Sequence, residues 1–256
     1  MIFFLKHLII IFLFLIPASK VYSGLPDTID EIRMSVVSIG IVRPPKSANP
    51  KGPQHEYRGT GFIVGNGNQV ITNYHVIPEN LENETNAKLA IFIGKGKSVN
   101  AWIADISKTD QEHDLALLSF RGPKQPALVF DSASKVREGQ EIAFTGFPIG
   151  MVIGMYPVTS KGIISAITPT VIPASSSKSL TPLQIKRMRN AFNVYQLDAI
   201  AYPGNSGSPV YNPNTGGVIG IINSVFVKST KEAVLENPSA ITYAIPASYA
   251  KDLLEE

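Results

Sequence analysis

Residues 202–211 read YPGNSGSPVY, and Gly204, Asn205, Ser206 and Gly207 crowd together there ahead of Pro209. Two glycines around a serine suit a tight turn. The same turn serves chemistry if it aims one hydroxyl and neighbouring backbone N–H groups at an incoming carbonyl. The choice depends on what the rest of the chain supplies. A serine hydroxyl needs a base to take its proton, and that base needs a third group to orient it.

Beyond the first 23 residues the sequence has three histidines, His55, His75 and His113. His55 lies in PKGPQHEYRG, which reads as a loop without apolar framing. His75 ends the apolar stretch VITNYHVI, where a strand end can hold an imidazole rigidly at a cleft. His113 precedes Asp114, and neighbours on a strand face opposite ways, so an inward Asp114 turns His113 away. Asp114 heads the mostly apolar DLALLS, where a carboxylate is costly unless it accepts hydrogen bonds. An imidazole N–H supplies one and fixes the tautomer that leaves the other nitrogen free. The competing reading is that Asp114 only caps the turn after KTDQEH. The candidate catalytic set is therefore His75, Asp114 and Ser206. Gly204, Asn205 and Ser206 form the candidate oxyanion hole, with the N–H groups of Gly204 and Ser206 as donors; losing one such donor costs about a hundred- to a thousandfold in rate.

Around these residues the chain alternates short apolar runs with turns. SVVSIGIV (35–42) reads as a strand, GTGFIVGNGNQVITNYHVI (59–77) as two strands joined at Asn66–Gly67, and KLAIFIGKGKSVNAWIADI (88–106) as another hairpin. DLALLSF (114–120) follows, and 123–140 reads as a crossing segment between two halves. EIAFTGFP, VTSKGIISAI, VYQLDAIA, SPVYN and GVIGIINSVFV supply the second half. Many short strands without a βαβ unit predict an all-β sandwich or barrel pair. PASYAKDLLEE (246–256) predicts a closing helix with Ala250, Leu253 and Leu254 on its apolar face.

The segments TGFIV…ITNYHVI, HDLALLS and GNSGSPV resemble the three catalytic segments of chymotrypsin-fold serine proteases, in that clan's His, Asp, Ser order. The chain is more closely similar to the HtrA/Deg family of trypsin-like proteases through GFPIGMVIGMYPVTSKGIISAIT (146–168), YQLDAIAYPGNSGSP and ITYAIPASYAKDLL. The resemblance implies two perpendicular six-stranded antiparallel β-barrels with a short C-terminal helix. Barrel one spans about 34–122 and barrel two about 138–246, with the cleft between them. It implies a serine endopeptidase acting on polypeptides, without cofactor or metal. It also places Ile200 at the base of the specificity pocket and Asn223, Ser224 and Val225 along a wall, so that small or medium aliphatic side chains are preferred. A peptide-binding or chaperone-like protein on the same fold is the alternative.

Departures from the pattern carry information too. Ser208 replaces the family's usual second glycine and is similar to the glutamyl endopeptidases, but VIGIINSVF lacks their pocket histidine. No PDZ domain is expected beside the protease-like one. RMSVVSIGIV lacks an Ile-Val-Gly-Gly start and Asn205 precedes the serine, so no zymogen cleavage is expected. Residues 169–193, with Lys186, Arg187 and Arg189, fall where HtrA proteins carry a regulatory loop.

MIFFLKHLIIIFLFLIPASKVYS (1–23) has the basic start, short apolar run and small-residue end of a signal peptide, with 24–33 an N-terminal segment before the protease-like domain at 34–256. A periplasmic or secreted protein without a stable membrane span is expected. The apolar run is shorter than the roughly 20 residues a span needs. Without Lys6 and Lys20 the net charge falls from +3 to +1, which gives nucleic acid no electrostatic handle. Cysteine is absent, so neither disulfides nor thiolate metal sites are available. Nothing in the sequence fixes an oligomeric state.

Overall fold

A computed structural model describes residues 24–43, 55–78, 81, 87–131, 135–148, 154–170, 192–223 and 241–256. Strands β1 (Val36–Val42), β2 (His55–Val64), β3 (Gln69–Asn73), β4 (Lys88–Lys95), β5 (Ser98–Asp110) and β6 (Leu115–Phe120) close into an antiparallel barrel, with neighbours in the order β1-β2-β3-β6-β5-β4. Strands β7 (Glu141–Gly146), β8 (Val158–Pro169), β9 (Asn193–Asp198), β10 (Pro209–Tyr211), β11 (Val218–Asn223) and β12 (Ile241–Pro246) close a second barrel. Its ring order is β7-β8-β9-β12-β11-β10, the order of the first barrel counted from its own first strand. Closure leaves neither sheet an open edge.

Each barrel has its own interior, Val37, Ile39, Ile63, Val70 and Leu118 in the first and Ile142, Phe144, Ile164, Leu197 and Ile222 in the second. A third cluster joins the barrels: Phe62, Leu115 and Leu117 meet Val218, Ile221 and Ile245. β6 thus points Ala116 and Leu118 into its barrel and Leu115 and Leu117 into the interface. Burial on both faces explains why DLALLSF reads as a nearly continuous apolar run rather than an alternation. Helix α2 (Ala247–Glu255) covers this interface with buried Ala250 and Leu253, and Leu254 packs beside them.

The second-half segments read as strands become β7 to β11, and β12 completes that ring. Two local expectations, on His55 and on His113, need correction. His55 does not sit in a loop; it opens β2, paired with Val42, and its ring meets the edge of Phe92 at 5.4 Å. The segment 24–33 contains helix α1 (Leu25–Ile32), started by Pro26 in its first turn. Thr28 and Ile32 bury its inner face, and Thr28 Oγ1 donates to the Pro213 carbonyl of the second half at 2.7 Å. His113 turns away from the inside, but through a turn and not through strand alternation, since β6 begins only at Leu115. The connection through 123–131 has no strand of its own beyond one parallel bridge, Phe130 to Val218. Among the described residues no helix is long and apolar enough to cross a membrane.

Candidate active site

The register of the first barrel brings the first two candidate residues together. β3 and β6 pair from Gln69 with Ser119 to Asn73 with Leu115, so the end of one strand lies beside the start of the other. One 3-10 turn, Tyr74–Val76, follows β3 and carries His75; the turn before β6 carries Asp114. The carboxylate grips the histidine twice. Asp114 Oδ1 accepts the His75 backbone N–H at 2.9 Å, and Oδ2 accepts Nδ1–H at 2.6 Å. With Nδ1 protonated toward Asp114, Nε2 is left as the basic nitrogen.

A third donor comes from the other barrel. Asn223, at the end of β11, reaches Asp114 Oδ2 with Nδ2 at 2.7 Å. Asp114 is only 7% exposed, so these three bonds replace its hydration. Its carbonyl is also held, by the Tyr74 N–H at 3.1 Å and Asn73 Nδ2 at 3.0 Å. The turn-cap reading of Asp114 therefore does not account for its side chain, all of whose bonds described above run to His75 and Asn223.

Ser206 lies in the loop between β9 and β10, and the first barrel holds that loop in place. Thr60, in β2, donates its N–H to the Ser206 carbonyl at 2.8 Å and its hydroxyl to the Gly204 carbonyl at 2.7 Å. Gly59 beside it is a close approach: a Cβ there would stand 2.7 Å from the Val76 side chain and 3.1 Å from the Ser206 carbonyl oxygen. The turn of His75 and the loop of Ser206 thus meet across one residue. Gly207, at φ 87°, backs onto the Thr60 carbonyl so closely that no side chain fits.

Within the loop the backbone N–H groups separate into two kinds. Asn205 donates its own to the Tyr202 carbonyl at 3.0 Å, which removes it as an oxyanion donor. Gly204 and Ser206 donate to nothing among the described residues. The Ser206 hydroxyl likewise makes no hydrogen bond among the described residues, and Ser206 is 6% exposed. Catalytic contacts of this type commonly tighten only around bound substrate.

The remaining expected residues fall differently. Ile200 is 39% exposed and so is not packed core. Asn223, expected along a pocket wall, is 1% exposed and spends its amide on Asp114. Ser224 and Val225, like Lys186, Arg187 and Arg189, lie outside the described residues. Thr60, which holds the Ser206 loop, is the residue sequence reading missed; a threonine in an apolar strand gives no signal until that loop is docked on it. Among the described residues no cluster of three or more His, Cys, Asp or Glu is placed to hold a metal ion.

A family profile for the trypsin-like peptidase domain matches residues 59–221, from the glycine beside Thr60 to β11. The chain belongs to the trypsin-like peptidases. Among its relatives, magnetosome formation protease MamE of Magnetospirillum gryphiswaldense is 29% identical over 255 residues, covering 91% of this chain and 29% of that protein. A probable periplasmic serine endoprotease, DegP-like, of Chlamydia trachomatis is 30% identical over 199 residues, covering 78% of this chain and 33% of the relative. Serine protease HTRA1A of Danio rerio is 28% identical over 237 residues, 92% of this chain and 41% of its own length. The HtrA/Deg resemblance is thus shared by curated relatives, and this trypsin-like chain spans well under half the length of each of them.

Proposed function

We propose that this trypsin-like chain is an exported serine endopeptidase working through an acyl-enzyme. The observation that carries the reading is the double grip of Asp114 on His75, closed from the second barrel by Asn223. Ser206 Oγ attacks the scissile carbonyl while His75 Nε2 takes its proton. The oxyanion develops against the N–H groups of Gly204 and Ser206. His75 then gives the proton to the departing amine as the C–N bond breaks. Water repeats the attack on the ester, with His75 again as base, and releases the acid.

Export rests on the signal-like residues 1–23 and on the periplasmic wording of the DegP-like relatives. The side chain before the scissile bond is small or medium and aliphatic, because Ile200 supplies an apolar exposed surface and no carboxylate to pair with Lys or Arg. A second reading, peptide binding without turnover, draws on the Ser206 hydroxyl having no hydrogen bond to His75 among the described residues.

A fluorophosphonate probe separates the two. The wild-type protein is expected to label and Ser206→Ala to stay unlabelled. A folded wild-type protein that resists the probe sinks the peptidase reading and leaves peptide binding in its place.

A further inference from the structure

The turn before β6 contains a second histidine–carboxylate pair built like the first. Asp110 Oδ1 accepts the His113 backbone N–H at 3.0 Å, and Oδ2 accepts its Nδ1–H at 2.5 Å. Asp114 grips His75 with the same two bonds, at 2.9 and 2.6 Å. The two aspartates sit four residues apart along the chain.

The second pair is unsuited to reacting with substrate, because aromatic rings cover its imidazole. Tyr249 of α2 stacks on it at 3.8 Å and 17°, and Phe192 meets it edge-on at 4.6 Å and 66°. Phe192 and Tyr249 also touch each other, at 5.4 Å. Each ring is anchored elsewhere. Buried Ala247, Ala250 and Leu253 dock the helix of Tyr249 on the inter-barrel core. The Phe192 carbonyl accepts the Thr170 N–H at 2.8 Å and its hydroxyl at 3.1 Å. His113 is thus a junction of three elements: the β5–β6 turn, the entry to β9 and the closing helix.

What that junction holds is the residue next to it. Asp114 has φ 55°, the only positive φ of a non-glycine among the described residues. A side chain is disfavoured in that region and is held there by its surroundings. The bonds to Asp114 from Asn73, Tyr74 and His75 all come from the end of β3, so they move with that end. Asn223 and the His113 stack tie the turn to the second barrel and to α2.

We infer that His113, clamped by Asp110, Tyr249 and Phe192, is a positioning residue that sets the pose of Asp114 and through it of His75. The inference rests on the proposed role of Asp114 as the group that orients His75. It makes the closing helix and the entry to β9 part of the machinery that aligns the site.

The test uses the full chain and a fluorophosphonate probe, with kinact and KI determined separately. His113→Asn keeps a donor for Asp110 but removes the ring; Tyr249→Ala removes the stack; Tyr249→Phe keeps it. Circular dichroism fixes a temperature at which every variant is folded. His113→Asn and Tyr249→Ala are expected to lower kinact by about ten- to a hundredfold with KI unchanged, the scale at which small misplacements act. Tyr249→Phe is expected to match wild type. Equal kinact in all variants overturns the inference, as does a loss confined to KI or one that Tyr249→Phe shares. A wild-type chain that never labels overturns the peptidase reading itself, and this inference with it.

Discussion

Asn223 Nδ2 stands 2.7 Å from Asp114 Oδ2, and that one bond runs from the second barrel into the first. Asp114 is buried, and a hydrogen bond to a buried charge contributes about 1.5–3 kcal/mol. Without it the carboxylate keeps only its two bonds to His75 and loses its tie across the cleft. Asn223→Ala is therefore expected to lower probe kinact by about tenfold or more at unchanged KI, with a modest drop in Tm. An Asn223→Ala protein that labels like wild type would return Asn223 to the pocket-wall role its sequence position suggested. Sequence identified the residue but not its task. An asparagine ending an apolar strand has the same signature whether its amide faces substrate or a carboxylate. The candidate triad was legible because each member follows or heads an apolar run that fixes its strand end. Thr60 was not, since its two bonds to the Ser206 loop join residues 144 and 146 positions apart in the chain.

At the scale of elements, legibility followed burial. β6 and β11 are buried almost throughout, and their apolar runs declare them. The start of β2, His55 to Arg58, is exposed or half-buried and polar, so it carries no strand period although His55, Glu56 and Tyr57 pair with β1 and the register shifts at Arg58. α1 hides for a related reason. Its two buried positions are Thr28 and Ile32, and the threonine enters the interface by donating to a carbonyl and not by being apolar. The nucleophile loop is the element most dependent on backbone conformation. Gly207 holds φ 87° with the Thr60 carbonyl against its α-carbon and donates its N–H to the Ile222 carbonyl at 2.9 Å. Gly207→Ala meets both a forbidden φ and a backbone atom that cannot yield. Expected is a protein that retains both barrels by circular dichroism, melts lower by several degrees, and labels at least a hundredfold more slowly. Near wild-type labelling would mean that the loop has freedom the packing denies it.

The whole molecule is one strand order used twice, with the candidate site where the copies meet. Two apolar patches seal that meeting. One is the Phe62 cluster under α2; the other sets Ile32, Val36, Ala90 and Phe92 against Ala143, Phe147, Met155 and Tyr211. Tyr211 is fully buried there, its hydroxyl 2.8 Å from Thr145 Oγ1. Burial raises its pKa, and hydrogen bonds with Thr145 and Thr159 only partly oppose the rise. The sign for stability follows. In the unfolded chain the phenol loses its proton near pH 10, whereas the folded protein retains it to higher pH. The contribution is thus complete below about pH 10 and is lost as pH climbs towards the raised folded value. Per proton the slope reaches about 1.4 kcal/mol per pH unit. Tyr195, Tyr249 and Tyr57 are raised in the same direction by burial, so the wild-type Tm is expected to fall steeply above pH 10. Tyr211→Phe removes one of these phenols at the cost of the bond to Thr145, about 1 kcal/mol. Its Tm should start lower at pH 8 and fall less steeply than wild type from pH 10 to 11.5. Parallel Tm curves for the two proteins would mean that Tyr211 ionises as freely folded as unfolded, and that the contact between the barrels is wet.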